Sequence, residues 1–452
     1  MLRSIPWVDE LLDLHRLHPR RYPCLLESVL HGTPRARYDI LFAFPGETLR
    51  LNADLRLQGP WAEGGAGDFL KALDRWWHEL HQPAEDSRLP FHGGWFLFLA
   101  YELAAQVEPV LRLPLDASSP MPVACAVRCP AAVIRDHAAG RCWLVAEAGE
   151  PELLDAMAMD LEAAKGLPAP AEVPALVHLE EEPADRYLQA LRRIHEYILA
   201  GDVFQVNLSR LWEGRLETAD VARDAALYHR LRTANPAPFA GMLTIDGCAV
   251  LSSSPERLVA ARHGRVETRP IAGTAARRED ESSLERRLRR HPKERAEHIM
   301  LIDLERNDLG RICIPGSVKV DELLALESYA YVHHLVSNVS GTLRDGVTPG
   351  EVIRAVFPGG TITGCPKVRC MEIIAELEAA PRGAYTGALG YLNRDGSLDL
   401  NILIRTLVRQ GRKLTLRAGA GIVADSVPER ELAETRAKAR GMLAALGVDE
   451  KD

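Results

Sequence analysis

Strand-like runs in this chain come in consecutive pairs joined by glycine-containing turns, and that spacing leaves few architectures open. The runs at 384–393 and 398–408 flank the turn from Asn393 to Gly396, and 398–408 and 412–418 flank Gln410 and Gly411. A short turn can only join antiparallel neighbours, because parallel strands need a long crossover. Further strand-like runs fall at 203–210, 240–251, 257–268 and 331–343. Helical periodicity recurs at about 222–233, 292–305, 349–356, 366–378 and 428–446. Antiparallel sheets with helices packed on them, an α/β (α+β) class, follow from that mixture.

The chain divides at a proline-rich stretch. Before it, Tyr38–Phe44 ends at Pro45 and Gly46, and Arg141–Ala146 follows Gly140, both strand-like. Phe69, Leu70, Leu73, Trp76, Trp77 and Leu80 predict a helix over 67–82. Pro168, Pro170 and Pro174 forbid a helix after Gly166, so 166–183 reads as a linker between an N-terminal part, 1–165, and a C-terminal region, 184–452. Asp185 is placed to cap a helix carrying Tyr187, Leu188, Leu191, Ile194, Ile198 and Leu199.

Bulk properties exclude several function classes. The net charge of -8 argues against a nucleic-acid partner. No apolar run is long enough to span a bilayer, and charge and proline interrupt the first ten residues, so neither a membrane nor a secretory route is expected. The eight cysteines show no zinc spacing and read as reduced, buried thiols of a cytoplasmic protein.

Two motifs mislead. Gly419 to Ala424 matches G-x-G-x-x-A but is followed by Asp425, Ser426, Val427 and Pro428, too late for the helix a dinucleotide site needs. Phe357 to Lys367 resembles a phosphate loop, yet Cys365 and Pro366 follow Gly364 where G-K-[ST] is required. In the last helix, Ser426 and Glu429 form a capping-box pattern. Glu431, Glu434 and Lys438 then share one face, and Glu294 and Glu297 repeat the acidic spacing earlier. Carboxylates alone, without cysteine or histidine, suit Mg²⁺; a solvated charged face is the other reading. Arg405, in the strand-like run 398–407, needs an anionic partner, whether a protein carboxylate or a ligand. Lys367, Lys438 and His334 are further candidates for the same neighbourhood.

At this point the residues resemble the chorismate-utilising enzymes. The motifs are Gly201–Ser209, Ser254–Arg257, Arg269–Thr274, Glu294–Glu297, Arg306–Gly310, His333–Ser337, Phe357–Arg369, Tyr385–Tyr391, Ile404–Thr406 and Ala418–Val423. The resemblance is strong over about 185–446 and looser over 20–150. It implies two packed, mainly antiparallel sheets with helices outside, an anthranilate synthase component I-like fold with the site between the sheets. It implies Mg²⁺ at Glu297 and Glu434, with Glu294 and Glu431 close by. Lys438, Gly419 and Gly421 then meet substrate carboxylate, Arg405 and Tyr385 hold the enolpyruvyl carboxylate, and His334 and Thr361 line the ring. Glu256 becomes the general acid. Leu26, Glu27, Ser28, Asn235, Pro236, Pro238 and Phe239 correspond to a tryptophan pocket.

Gln205 stands where water-using relatives resemble this chain but carry a Lys base. An amide cannot take a proton from water at neutral pH, so ammonia is the expected nucleophile. No glutaminase elbow occurs, and a separate glutamine amidotransferase subunit is the expected partner. Within Arg269–Thr274, Ala272 beside Thr274 matches the version usual in anthranilate synthases. The stretch Phe357–Lys367 and the doubled His333 and His334 look more like the aminodeoxychorismate synthase branch, and that branch is the expectation.

Overall fold

The computed structural model describes residues 1–29, 37–62, 65, 67–83, 89–276, 292–328 and 332–448; at 272–276, 292–296, 328 and 332 it describes the backbone only. Among these residues the strands form two sheets, of 12 and 11 strands, with antiparallel pairing throughout. Each sheet draws strands from both ends of the chain. In the first, Cys24–Glu27 pairs with Phe239–Ile245, which pairs with Cys248–Ser254; Thr406–Gln410, Lys413–Ile422 and Gln205–Leu216 follow. In the second, Gly94–Leu99 pairs with Ala388–Asn393, next to Leu398–Asn401 and Arg257–Arg262.

The pleat explains why Gly94–Leu99 is buried on both faces. Trp95, Leu97 and Leu99 point into a core shared with the helices Phe69–Leu80 and Pro349–Val356. Phe96 and Phe98 point the other way and meet the first sheet. Phe42 packs edge-on against Phe91 and Phe96 with ring centroids 4.8 and 5.1 Å apart. Outside the first sheet, the helices Leu12–Leu17, Pro151–Ala164, Val221–Ala234 and Pro428–Ala445 cover a third apolar cluster. No helix among the described residues is long and apolar enough to cross a membrane. All eight cysteines are free thiols.

Several expectations need local correction. Leu176–Glu181, within the stretch read as linker, is a strand paired with Gln205–Leu216. Asp185 lies inside the first turn of Ala184–Ala200, whose cap position is Pro183. Ser426 does not cap the last helix: its hydroxyl accepts from the Val423 N–H at 3.1 Å, and the cap position falls on Val427. The run 398–408 is two strands, Leu398–Asn401 and Thr406–Gln410, which belong to different sheets.

A polar cluster ties these layers together. Arg382 donates to Glu378 at 2.6 and 3.0 Å, to the Ile362 carbonyl at 3.1 Å and to the Asn207 carbonyl at 2.8 Å. Glu378 also accepts from the Ser209 N–H and hydroxyl at 2.9 and 2.8 Å and from Arg417 at 3.3 Å. Burial raises the Glu378 carboxyl, but the two arginines outweigh it and hold its pKa below the usual value. The pair's side chains are 1% and 2% exposed. Removing one member leaves a buried charge without its partner, so Arg382→Met is expected to lose about 3–5 kcal/mol in urea unfolding.

Candidate active site

Among the places where the chain passes from one sheet to the other, two lie side by side, and both carry a chemistry-bearing residue. Cys248–Ser254 lies in the first sheet and Arg257–Arg262 in the second, with Pro255 and Glu256 in the crossing. Leu398–Asn401 lies in the second sheet and Thr406–Gln410 in the first, with Arg405 in the return. The Ile402 N–H donates to the Glu256 carbonyl at 3.0 Å, and the Ser253 N–H donates to the Arg405 carbonyl at 3.1 Å. Arg405 adopts a positive φ of 54°, a left-handed conformation unusual for a residue with a side chain. The alternating-strand reading of Arg405 is therefore corrected: the residue sits in the bend, not on a strand face.

Glu256 is 6% exposed. Burial lifts its carboxyl to about 7, against the opposing pull of Thr361, the Ile271 N–H and Lys438. Thr361 sits in the short turn Gly360–Ile362, and its hydroxyl is buried without a well-formed hydrogen bond. Burial and the Arg405 charge push His334 down to about 4, so the imidazole is neutral. Arg405 is half-buried, and burial pulls its pKa down; no described carboxylate pairs with it. Tyr385 is buried nearby, its hydroxyl pushed up to about 12.

The floor is made by Gln205–Leu216 and Lys413–Ile422. A Cβ on Gly419 would lie 2.7 Å from the Tyr385 hydroxyl and 2.9 Å from Asn207 Oδ1, and one on Gly421 would collide with Gln205. These two positions must therefore lack side chains for the three groups to converge. Gln205 Oε1 and Asn207 Oδ1 are buried acceptors without a hydrogen-bond donor among the described residues. Lys438 donates to the Gly419 carbonyl at 2.9 Å and pairs with Glu434 at 2.7 Å. The structure thus gathers Glu256, Thr361, His334, Arg405, Tyr385, Gln205, Gly419, Gly421 and Lys438. Such a set can hold an anion against Arg405 and Lys438 while a neutral carboxylic acid offers a proton.

The proposed metal ligands divide. Glu431 and Glu434 share one face of Pro428–Ala445, and both bear electrostatically on Tyr187. Glu297 is half-buried in Pro292–Gly310, while the side chains of Glu294, Ala272 and Thr274 lie outside the described residues. Among the described residues no three of His, Cys, Asp and Glu gather as a ready metal cage. The hard, all-carboxylate donor chemistry of the last helix nonetheless suits Mg²⁺. Lys367 is bound elsewhere, to Asp308 and to the Val356 carbonyl at 3.2 Å.

A separate cavity of about 310 Å³ is lined by Leu26, Glu27, Ser28, Pro238 and Phe239. Asn235 and Pro236 do not line it. Asn235 ends the Val221–Ala234 helix and donates to the Ser253 carbonyl at 3.3 Å. The Glu27 carboxylate is engaged by Arg232 at 2.6 Å and by the Tyr228 hydroxyl at 2.8 Å. Sequence reasoning also passed over Glu305, whose carboxyl is buried and lifted to about 7 by desolvation and the Asp308 charge. Nothing in its neighbours Asp303 and Arg306 signals that burial.

Residues 27–444 match the chorismate binding enzyme family. This chain belongs to that family. It is 44% identical to a Synechocystis protein named anthranilate synthase component I-like protein, over 79% of this chain and 73% of that one. It is 40% identical to aminodeoxychorismate synthase component 1 of Bacillus subtilis, over 96% and 93%. The crystal structure of anthranilate synthase component I from Streptococcus pneumoniae superposes with a TM-score of 0.78, 31% identity and coverage of 91% and 93%. In this chorismate-binding enzyme the fold expectation holds: two antiparallel sheets with helices on their outer faces.

Two outcomes follow for the enzyme. Arg405→Met removes a desolvated charge with no described acidic partner, so it should weaken binding of a dicarboxylate at least about 100-fold without lowering the thermal midpoint. Isothermal titration and thermal melts measure the two effects. A carboxyl with a raised folded pKa takes up protons on folding between its ordinary value and about 7. Wild-type stability then falls across that window as pH rises. Glu256→Gln should remove this residue's share of that slope and leave that of Glu305, a difference from wild type on the order of 2–3 kcal/mol by pH 7.5 in urea unfolding.

Proposed function

We propose that this enzyme is an aminodeoxychorismate synthase component I, converting chorismate and ammonia to 4-amino-4-deoxychorismate. The observation that carries the reading is a buried Glu256 carboxyl, lifted to about 7 by burial, beside the cations Arg405 and Lys438, which suit a dianion. No base stands at position 205, which favours a nucleophile that needs none. Within the family, the Phe357–Lys367 stretch and the paired His333 and His334 favour the 4-amino branch.

Arg405 and Tyr385 hold the enolpyruvyl carboxylate, and Lys438 with the Gly419–Gly421 backbone meets the ring carboxylate. Glu297 and Glu434 would hold Mg²⁺, with Glu294 and Glu431 beside them, and the ring carboxylate bound there would be a stronger electron sink. His334 and Thr361 line the ring. Hydroxide is a poor leaving group, and Glu256 donates the proton that lets the C4 hydroxyl depart as water. The name component 1 borne by the Bacillus relative fits a second, glutamine amidotransferase subunit as the source of ammonia. The 310 Å³ cavity at Leu26, Glu27, Ser28, Pro238 and Phe239 is the place for bound tryptophan.

Anthranilate synthase component I is the second reading. Ala272 favours it, since many members of the 4-amino branch carry a lysine there. The test is product identity after incubation with chorismate, Mg²⁺ and ammonium. A product that a lyase converts to 4-aminobenzoate is expected. Fluorescent anthranilate with pyruvate would establish the second reading, and intact chorismate would leave a binding protein. Because Glu256 must be protonated, kcat/KM for chorismate at a fixed concentration of free ammonia is expected to fall as pH rises through about 7, with the descending limb lost in Glu256→Gln.

A further inference from the structure

We propose that Asn207, together with Gln205, forms the subsite that holds the incoming ammonia, and that Asn207 is a specificity-determining residue for the nitrogen nucleophile. The inference rests on the reading that an amine enters the chorismate ring.

Gln205 and Asn207 are alternate residues of one strand, so both side chains leave the same face with their Cα atoms about 6.6 Å apart. Asn207 is fixed from three directions. Its N–H donates to the Thr363 carbonyl at 2.9 Å, and its carbonyl accepts from Arg382 at 2.8 Å. Its amide nitrogen lies 3.5 Å from the Thr361 carbonyl, which turns the amide oxygen toward Gly419 and the Tyr385 hydroxyl. Gln205 Oε1 and Asn207 Oδ1 are both buried acceptors that no described group supplies with a donor.

Buried acceptors require donors, and the substrate cannot provide enough. Chorismate as a dianion has two carboxylates and an enol ether, all acceptors, and one hydroxyl donor. The site answers those carboxylates with Arg405, Lys438 and Tyr385, which are donors. Two amide oxygens therefore remain for something rich in N–H or O–H groups. Ammonia carries three N–H donors and one lone pair. Two N–H groups on Gln205 and Asn207 would hold it with the lone pair free to attack the ring carbon.

The test compares two variants of nearly the same shape, Asn207→Thr and Asn207→Val, which differ in keeping or losing an oxygen acceptor. Steady-state rates of the purified chain are measured with chorismate, Mg²⁺ and ammonium chloride. The expected result is a KM for ammonium about tenfold higher in Asn207→Val than in Asn207→Thr, with chorismate KM values within twofold of each other. Any damage to folding is common to both variants and cancels in the ratio. Equal ammonium KM values, or a parallel rise in both KM values, would overturn the subsite while leaving the amination reading intact. Chorismate turnover by the wild-type chain that does not depend on ammonium would sink that parent reading, and this inference with it.

Discussion

The buried ion cluster of Glu378, Arg382 and Arg417 is the interaction on which the site depends. It is not a decorative salt bridge: Arg382 reaches the carbonyls of Ile362 and Asn207, and Glu378 takes both donors of Ser209. The Glu102 carboxylate accepts the Arg382 N–H at 2.7 Å from the other side. The Thr361 turn, the Asn207 strand and the Tyr385 loop are thereby held to one another through charge-assisted bonds in a low-dielectric interior. Buried pairs of this kind stabilise little in net terms but punish any rearrangement. Acceptors such as Asn207 Oδ1 and a cation such as Arg405, unpartnered among the described residues, keep their geometry through that sort of rigidity around them.

The two adjacent crossings at Glu256 and Arg405 explain why the unusual groups lie where they do. A residue inside a strand has its backbone committed to neighbours and its side chain to one face. A residue in a crossing is released from the strand's alternation of faces, which lets Glu256 and Arg405 lie where one sheet hands over to the other, with their carbonyls still tied to Ile402 and Ser253. The positive φ at Arg405 is the conformational expense of that placement, and the Ser253 N–H on the Arg405 carbonyl and the Ile402 N–H on the Glu256 carbonyl hold the two segments. Arg257 and Asn401, the residues flanking the crossings, line the 310 Å³ cavity. A ligand there touches the same backbone that positions the acid and the cation, and any coupling between the two sites must act equally in both directions.

Local signals made much of the fold legible. Arg141–Ala146 and Pro349–Val356 appear in the structure at the limits their turns and caps suggest, because those limits are written in neighbouring residues. The break in 398–408 was not, since alternation continues smoothly across it and Arg405 is no glycine to announce a left-handed bend. Sheet order was equally hidden, as it depends on pairings between residues hundreds of positions apart. For the site, charge and spacing pointed to the acidic face of the last helix and to Arg405, while the roles came from resemblance. The burial of Glu305 and the orphaned oxygen of Asn207 are tertiary facts with no local trace.

Drawing each sheet from both ends of the chain has a consequence for biogenesis. Cys24–Glu27 pairs on one edge with nearby Tyr38–Ala43 but on the other with distant Phe239–Ile245, and Gly94–Leu99 pairs on one edge with Ala124–Cys129 but on the other with Ala388–Asn393. During translation each early strand keeps one edge open until its distant neighbour has left the ribosome. Such non-local pairing makes closure slow and leaves the nascent chain exposed to aggregation. The two sheets of this protein can thus close only after those distant segments have been made.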